Sequence, residues 1–193
     1  MPIANTASAL ELLKSRFAGK LGVPKEFRGE TTVEIDKSEI VAVAQLLKDN
    51  GFNYLVDLSG VDNFGEEPRF EVVYEFASVD NAQHLRVKVR VSEDDAGVPT
   101  ISHLYQTADW HEREAYDMVG MRFLGHPDLR RILMWEGYPY HPLRKDFPLE
   151  GKETLVPGEA FTKPAPLAGG PFVTAPAALT IDREPRAHPP ELA

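Results

Sequence analysis

Residues 70–91 read FEVVYEFASVDNAQHLRVKVRV. Phe70, Val72, Tyr74 and Phe76 recur at every second position, and Leu85, Val87, Val89 and Val91 do the same. A period of two is the spacing of a strand that buries one face. The alternate positions carry Glu71 and Glu75 in the first run and Arg86, Lys88 and Arg90 in the second. The runs therefore predict an antiparallel hairpin, strands 70–77 and 83–91, in which paired residue numbers sum to 161. That register sets Glu75 opposite Arg86 and Glu71 opposite Arg90, with Phe76, Tyr74 and Val72 beside Leu85, Val87 and Val89. A slip of one residue would bring apolar side chains opposite charges on both faces.

On the N-terminal side, helical and extended periods alternate. Ser8 and Glu11 have the spacing of a capping box, with Leu10, Leu13 and Phe17 on one helical face and Gly19 closing it. Residues 31–35 read as a strand. Asp36 and Glu39 form a second capping box before Ile40, Val43, Ala44 and Leu47, and Gly51 ends that helix. Phe52, Tyr54, Val56 and Leu58 alternate as a strand, and residues 60–68 read as a loop. Beyond the hairpin, residues 92–97 form an acidic turn, and Pro99 is placed to open a short helix through Leu104. Thr107 is placed to cap a helix over residues 108–119, ended by Gly120. Pro127, Pro139, Pro142 and Pro148 deny long regular elements to residues 121–149, leaving extended chain and a short strand near Ile132–Met134. The expected fold class is α+β: a two-layer α/β unit, helices packed on one mixed sheet of about four strands, over residues 1–149. Residues 150–193 follow as an extended proline-rich C-terminal arm; eight of the sixteen prolines lie from Lys152 onward. Phe161, Leu167, Phe172, Val173, Leu179 and Ile181 are the anchors such an arm would lay on a partner.

Composition narrows the function. The 193 residues carry a net charge of −9, with 17 acids to 11 bases in residues 1–108, eight to six in 109–151 and five to four thereafter. No basic stripe exists, which argues against nucleic acid as a partner. The chain has no cysteine, so it forms no disulfide, offers no cysteine nucleophile and supplies no thiolate to an iron–sulfur cluster. No apolar run approaches the length of a membrane span, and Glu11 interrupts the apolar N-terminal stretch where a secretory signal would need continuity.

Chemistry concentrates in residues 109–149, DWHEREAYDMVGMRFLGHPDLRRILMWEGYPYHPLRKDFPL, which hold both tryptophans and three of the six histidines. Charges of both signs interleaved with aromatics are the composition of a buried interface or of an enzyme cleft. His111, His126 and His141 are fifteen apart, unlike the three-to-five spacing of zinc ligands on a helix. Glu112 and Glu114 diverge on a helix and cannot form a carboxylate pair, whereas Arg113 and Asp117, four apart, can pair. Arg130-Arg131 and Arg144-Lys145 would suit phosphate, but no glycine-rich cradle accompanies them. A hydrolase built on Glu112, Asp117 and a histidine is the alternative of a different class.

Three motifs here, EREAYDMVG at 112–120, GHPDLRRIL at 125–133 and HPLRKDFPL at 141–149, occur in fixed order. Together they resemble the signature of the 30 kDa subunit family, the C subunit of the proton-pumping NADH–quinone oxidoreductase, respiratory complex I. The resemblance implies a cofactor-free scaffold component of the peripheral arm, on the cytoplasmic side of the inner membrane. In such an assembly FMN and iron–sulfur clusters sit in partner subunits, and the 30 kDa component braces the neighbouring D subunit, which shapes the quinone cavity. It also implies that Glu112, Arg113, Glu114, Tyr116, Asp117, His126, Asp128, Arg130, Arg131, His141, Arg144, Lys145, Asp146 and Phe147 serve partner binding rather than catalysis. Where the family usually has glycine before the histidine of the last motif, Tyr140 stands here. The equivalent component of a membrane-bound hydrogenase or of a ferredoxin- or F420-linked dehydrogenase shares the module and is the alternative within the superfamily.

Overall fold

The computed structural model describes residues 4–148 together with 151 and 152. The chain divides into two units, one of residues 1–136 with 143–145, the other of residues 137–142 with those from 146 onward. Among the described residues, all regular structure lies in the first unit. Its elements are α1 (Thr6–Arg16), β1 (Lys25–Phe27), β2 (Glu30–Glu34), a 3-10 turn (Lys37–Glu39), α2 (Ile40–Asp49), β3 (Tyr54–Asp62), β4 (Phe70–Ala77), β5 (His84–Val91), β6 (Gly97–Pro99), α3 (Thr107–Val119) and β7 (Arg122–Leu124). Five strands make one mixed sheet in the order β1-β2-β5-β4-β3, with β2 parallel to β5 and the other pairs antiparallel. β6 and β7 form a separate parallel pair. The fifth strand of the sheet, β1, carries no signal in the sequence: it turns into β2 through Arg28 and Gly29, both at positive φ (53° and 81°), and arginine is not a residue that marks such a turn.

β4 and β5 pair in the expected register, from Phe70 opposite Val91 to Ala77 opposite His84, every pair summing to 161. Phe70, Val72, Tyr74, Phe76, Leu85, Val87 and Val89 are completely buried. Burial of one such side chain stabilises the fold by roughly 1.5–3 kcal/mol. On the outer face Arg86 holds Glu75 and reaches Glu30 at 2.8 Å. Glu71 takes its closest ion pair diagonally, from Lys88 at 2.8 Å, while the directly opposite Arg90 turns to Glu66 at 2.6 Å. Ile40, Val43, Ala44 and Leu47 of α2, with Leu13 and Phe17, complete the core on the inner face.

Elsewhere the structure corrects the reading in detail. A bulge between Leu55 and Asp57 shifts the phase of β3, so Leu55 and Leu58 face the core while Tyr54 and Val56 are exposed. The strand then continues to Asp62, and the loop begins only at Asn63. Asn5, not Ser8, caps α1, accepting the Ser8 N–H at 3.0 Å. Pro99 closes β6 instead of opening a helix, and the following chain makes a single turn, Tyr105 N–H to Ile101 O at 3.0 Å. Thr107 does not cap α3; its hydroxyl donates to Leu55 O at 3.0 Å. That bond, with His111 3.2 Å from Asp57, ties α3 to β3, the strand at one end of the sheet order, which pairs with β4 alone. Gly60 permits the approach: a Cβ there would lie 3.2 Å from Ala115 Cβ and Met121 Sδ. Residues 132–134 form no strand, for a reason that belongs to the site.

In the second unit, Tyr140 packs edge-on against Tyr138 (5.6 Å between centroids) and tilted against Phe147 (6.0 Å), and Lys152 lies over both Tyr140 and Phe147. Tyr140 is thus the hub of a small aromatic cluster. Except for residues 151 and 152, the expected arm over 150–193 lies outside the described residues.

Candidate functional site

α3 presents two of its signature acids, Glu112 and Asp117, inward. Asp117 has no exposed surface. One carboxylate oxygen accepts three successive main-chain N–H groups, from Ile132 (3.0 Å), Leu133 (2.8 Å) and Met134 (2.8 Å), and the other binds Arg131. Arg131 also donates to the Asp117 carbonyl at 3.1 Å. Burial by itself would raise this acid, but the Met134 amide, Arg131 and the neighbouring amides hold it below the usual carboxylate range. This is why residues 132–134 make no strand: their amides converge on one anion instead of pairing with a neighbour strand. Arg113 donates to the carbonyls of Arg130 (3.2 Å) and Arg131 (3.3 Å) and lies over the Trp110 ring at 5.3 Å. It therefore serves the same loop as Asp117, through the loop's carbonyls, in place of the helix-face pair expected from the spacing.

Glu112, five residues earlier, is equally buried but differently served. It accepts the Ile101 N–H at 2.9 Å and the Thr100 hydroxyl, and lies 3.9 Å from His126 Nε2. Burial dominates and pushes its carboxyl up to about 7. The His126 ring is fully buried; its Nδ1 accepts the Asp128 N–H at 3.0 Å, which leaves the proton on Nε2, 3.0 Å from Asp109 Oδ1. Tyr74, with a completely buried hydroxyl, has its ionisation suppressed by burial and then by Glu112.

A third cluster was not legible in the sequence. Asp62, at the end of β3, receives a two-pronged bond from Arg69 (2.8 Å to each oxygen) and the Lys145 N–H at 2.8 Å. Arg69 lies over Phe64 and Phe70 and also binds Glu93 at 2.9 Å. Arg144 reaches Glu93 at 3.4 Å and donates to Val119 O at 2.6 Å, while Leu143 N–H donates to Met118 O at 3.0 Å. Two of the orphan carbonyls at the end of α3 are thereby satisfied, one of them by a cation where the helix dipole favours it. The Arg69 fork, first among the causes, holds Asp62 below its ordinary range. Asp62 and Arg69 sit seven residues apart across a loop, with no periodicity to announce them.

The remaining signature residues divide by exposure. Glu114, Asp128, Arg130 and Lys145 are exposed and Tyr116 is half-buried; Asp128 and Arg130 pair at 2.9 Å. His141, Asp146 and Phe147 belong to the second unit, His141 and Phe147 half-buried and Asp146 exposed. Of the signature histidines in the first unit, His111 pairs with Asp57 and His126 with Asp109. Beside these charged groups the segment exposes four large apolar side chains: Trp110 (60%), Leu124 (56%), Leu133 (63%) and Leu143 (59%).

Solved structures place this fold. It is similar to the trypsin-resistant fragment of Nqo5, with a TM-score of 0.57 at 32% identity, covering 63% of this chain and 99% of the fragment. A chain of the membrane-bound sulfane sulfur reductase, an archaeal respiratory membrane complex, matches with a TM-score of 0.63 at 23% identity over 74% of this chain and 85% of that one, a likeness of fold alone. Residues 33–153 match the model of the family described as respiratory-chain NADH dehydrogenase, 30 Kd subunit. The C subunit of NADH-quinone oxidoreductase from Geotalea uraniireducens is 44% identical over 152 residues, covering 78% of this chain and 93% of its own length. Its counterpart from Geobacter sulfurreducens is 42% identical over 153 residues, with 78% and 94% covered. The chain belongs to the respiratory-chain NADH dehydrogenase 30 kDa subunit family. No helix among the described residues is long and apolar enough to cross a membrane.

Proposed function

We propose that the chain is a cofactor-free scaffold component of the peripheral arm of complex I, on the cytoplasmic side, bracing the D subunit beside the quinone cavity. FMN and iron–sulfur clusters then belong to partner subunits, and the proton translocation that accompanies electron flow to quinone occurs elsewhere in the complex. One observation carries this reading. The signature's buried acids Glu112 and Asp117 bind main-chain amides of their own domain, and the side chains left outside include the large apolar groups of Trp110, Leu124, Leu133 and Leu143. Groups that act on a substrate converge on a cavity; here they fix loops, and the exposed apolar groups are those an interface would cover. Identity of 44% to the C subunit of an NADH–quinone oxidoreductase favours that complex over hydrogenase-type relatives. The test is Leu133→Asp in the intact complex. A charge at a covered apolar contact should lower complex abundance on a native gel, while the complex that does assemble keeps NADH oxidation with an artificial acceptor. Full assembly with quinone reduction abolished would overturn the scaffold reading and move the signature into quinone chemistry.

A further inference from the structure

The Thr100 hydroxyl has one proton and two places for it. Its oxygen lies against Glu112 Oε2 on one side and 2.9 Å from Ser102 Oγ on the other, and it accepts the Ser102 N–H at 3.1 Å. A hydroxyl donates once and accepts twice. With Glu112 ionised, Thr100 donates to the carboxylate and accepts from the Ser102 hydroxyl. With Glu112 neutral, the carboxyl donates to Thr100 and Thr100 donates to Ser102. In either state Thr100 makes its full three bonds, and no heavy atom has to move. Glu112 Oε1 keeps the Ile101 N–H at 2.9 Å in both. The inner end of this chain is buried, with Glu112 and Thr100 both closed to solvent. Its outer end, the half-buried Ser102, lines a surface pocket with His103, Asp109 and Trp110.

The other groups that face Glu112 do not compete for this proton. His126 uses Nδ1 to accept the Asp128 amide, so a second proton on the ring would cost that bond, and its Nε2 is nearer to Asp109 (3.0 Å) than to Glu112 (3.9 Å). Tyr74, from β4, is held to its phenol form by burial and by Glu112. Asp109, on the same helix, is an acid whose charge opposes ionisation of Glu112. Among the described residues no lysine or arginine pairs with Glu112, whereas Asp117 has Arg131. Burying a carboxylate without a cation favours its neutral form, and burial pushes Glu112 up to about 7. We infer that Glu112 is a proton-binding site that exchanges with solvent through the hydroxyls of Thr100 and Ser102. A proton from water in the pocket enters at Ser102 Oγ, the proton Ser102 held passes to Thr100, and the one Thr100 held passes to Glu112 Oε2. Each hydroxyl ends with one proton and the carboxylate gains one. The site does not depend on which partners the chain meets.

The probe is the proton itself, followed in the full-length chain by the carbon-13 resonance of the Glu112 carboxyl across a pH titration; Glu112→Gln assigns that resonance by its loss. The midpoint should lie near 7 and not in the ordinary carboxylate range. Ser102→Ala breaks the chain at its outer end and leaves both hydrogen bonds of Glu112 in place. The midpoint should stay, while exchange between the protonated and ionised forms, read from the line shape at the midpoint, should slow roughly tenfold or more. Thr100→Val, with a methyl group where the middle oxygen stands, should slow it at least as much. If Thr100→Val fails to fold, Ser102→Ala decides alone. A midpoint in the ordinary carboxylate range overturns the site. A midpoint near 7 with exchange as fast in the variants as in the natural chain overturns the path through the two hydroxyls.

Discussion

The β4–β5 hairpin buries seven apolar side chains completely and keeps Glu71, Glu75, Arg86, Lys88 and Arg90 on its outer face. From α3 to Lys145 the arrangement is inverted in part, beside buried Ala115, Met118, Val119, Met121 and Phe123. There Glu112 and Asp117 are without exposed surface, and Trp110, Leu124, Leu133 and Leu143 are outside. The hairpin is ordered by apolar burial, which is non-directional and tolerant of volume-conserving change. The signature is ordered by charge-assisted hydrogen bonds to named main-chain atoms, which are directional and costly to leave unmade. A segment ordered in that second way can leave apolar groups free for a partner, because its own shape does not depend on burying them.

The largest expected effect comes from breaking the second kind of order. Asp117→Ala strands Arg131 and three amides, and losing one member of such a buried set costs roughly 3–5 kcal/mol. Assembled complex should then fall by about a hundredfold or more. Leu85→Ala is the control from the hairpin: it destabilises the isolated protein by about 2–5 kcal/mol. The comparison sharpens if assembly of the Leu85 variant simply follows its folded fraction, whereas the Asp117 variant assembles less than its folded fraction allows. Native-gel abundance beside denaturant melts of the isolated protein measures both; equal proportionality in the two variants would erase the distinction between the regions.

A smaller effect separates the two buried acids of α3. Glu112 is raised from 4.5 to about 7, so it binds its proton more tightly folded than unfolded. Its contribution is therefore fully present below the unfolded value and is lost as pH rises through about 7, a change of about 3 kcal/mol. Asp117 and Asp62 are held below 3.8, and their contributions disappear only as pH falls through their lowered folded values. Between about pH 5 and 7 the protein should lose stability, and Glu112→Gln should flatten that slope. Parallel curves for wild type and variant in chemical denaturation across that window would contradict the assignment.

These differences in physics explain what the sequence made visible. The hairpin register followed from period two, because burial of alternate residues leaves a trace in sequence order. α2 and the end of α3 at Gly120, with φ 89°, were legible for the same reason: helical period and a left-handed stop are local signals. Asp117's donors lie 14 to 17 residues away, and Asp62 meets Lys145 across 83, so neither leaves a periodic mark. The motif order revealed that residues 109–149 matter; it did not reveal that Asp117 would gather the amides of 132–134 and abolish a strand. Nor did alternation at 52–58 disclose the bulge after Leu55, since a bulge changes phase without changing composition.

The smallest effect tests whether the hairpin's charges contribute order at all. Lys88 reaches Glu71 at 2.8 Å across a diagonal, with Lys88 33% and Glu71 12% exposed, while Arg90 lies 4.0 Å from the same acid. Partial exposure admits water, so the pair should be worth no more than about 1 kcal/mol. Lys88→Glu alone should cost somewhat more than that, because it sets two acids against each other on neighbouring strands. Adding Glu71→Lys returns opposite signs to the diagonal but places a lysine opposite Arg90, so the double variant should recover only part of the loss. A double-mutant cycle on denaturant melts reads the coupling. If the coupling is near zero, the outer charges select register and solubility without stabilising the hairpin, and its order is apolar burial alone. A coupling as large as the loss from Asp117→Ala would mean that the two regions are held by the same forces, and the inversion between them would carry no mechanical meaning.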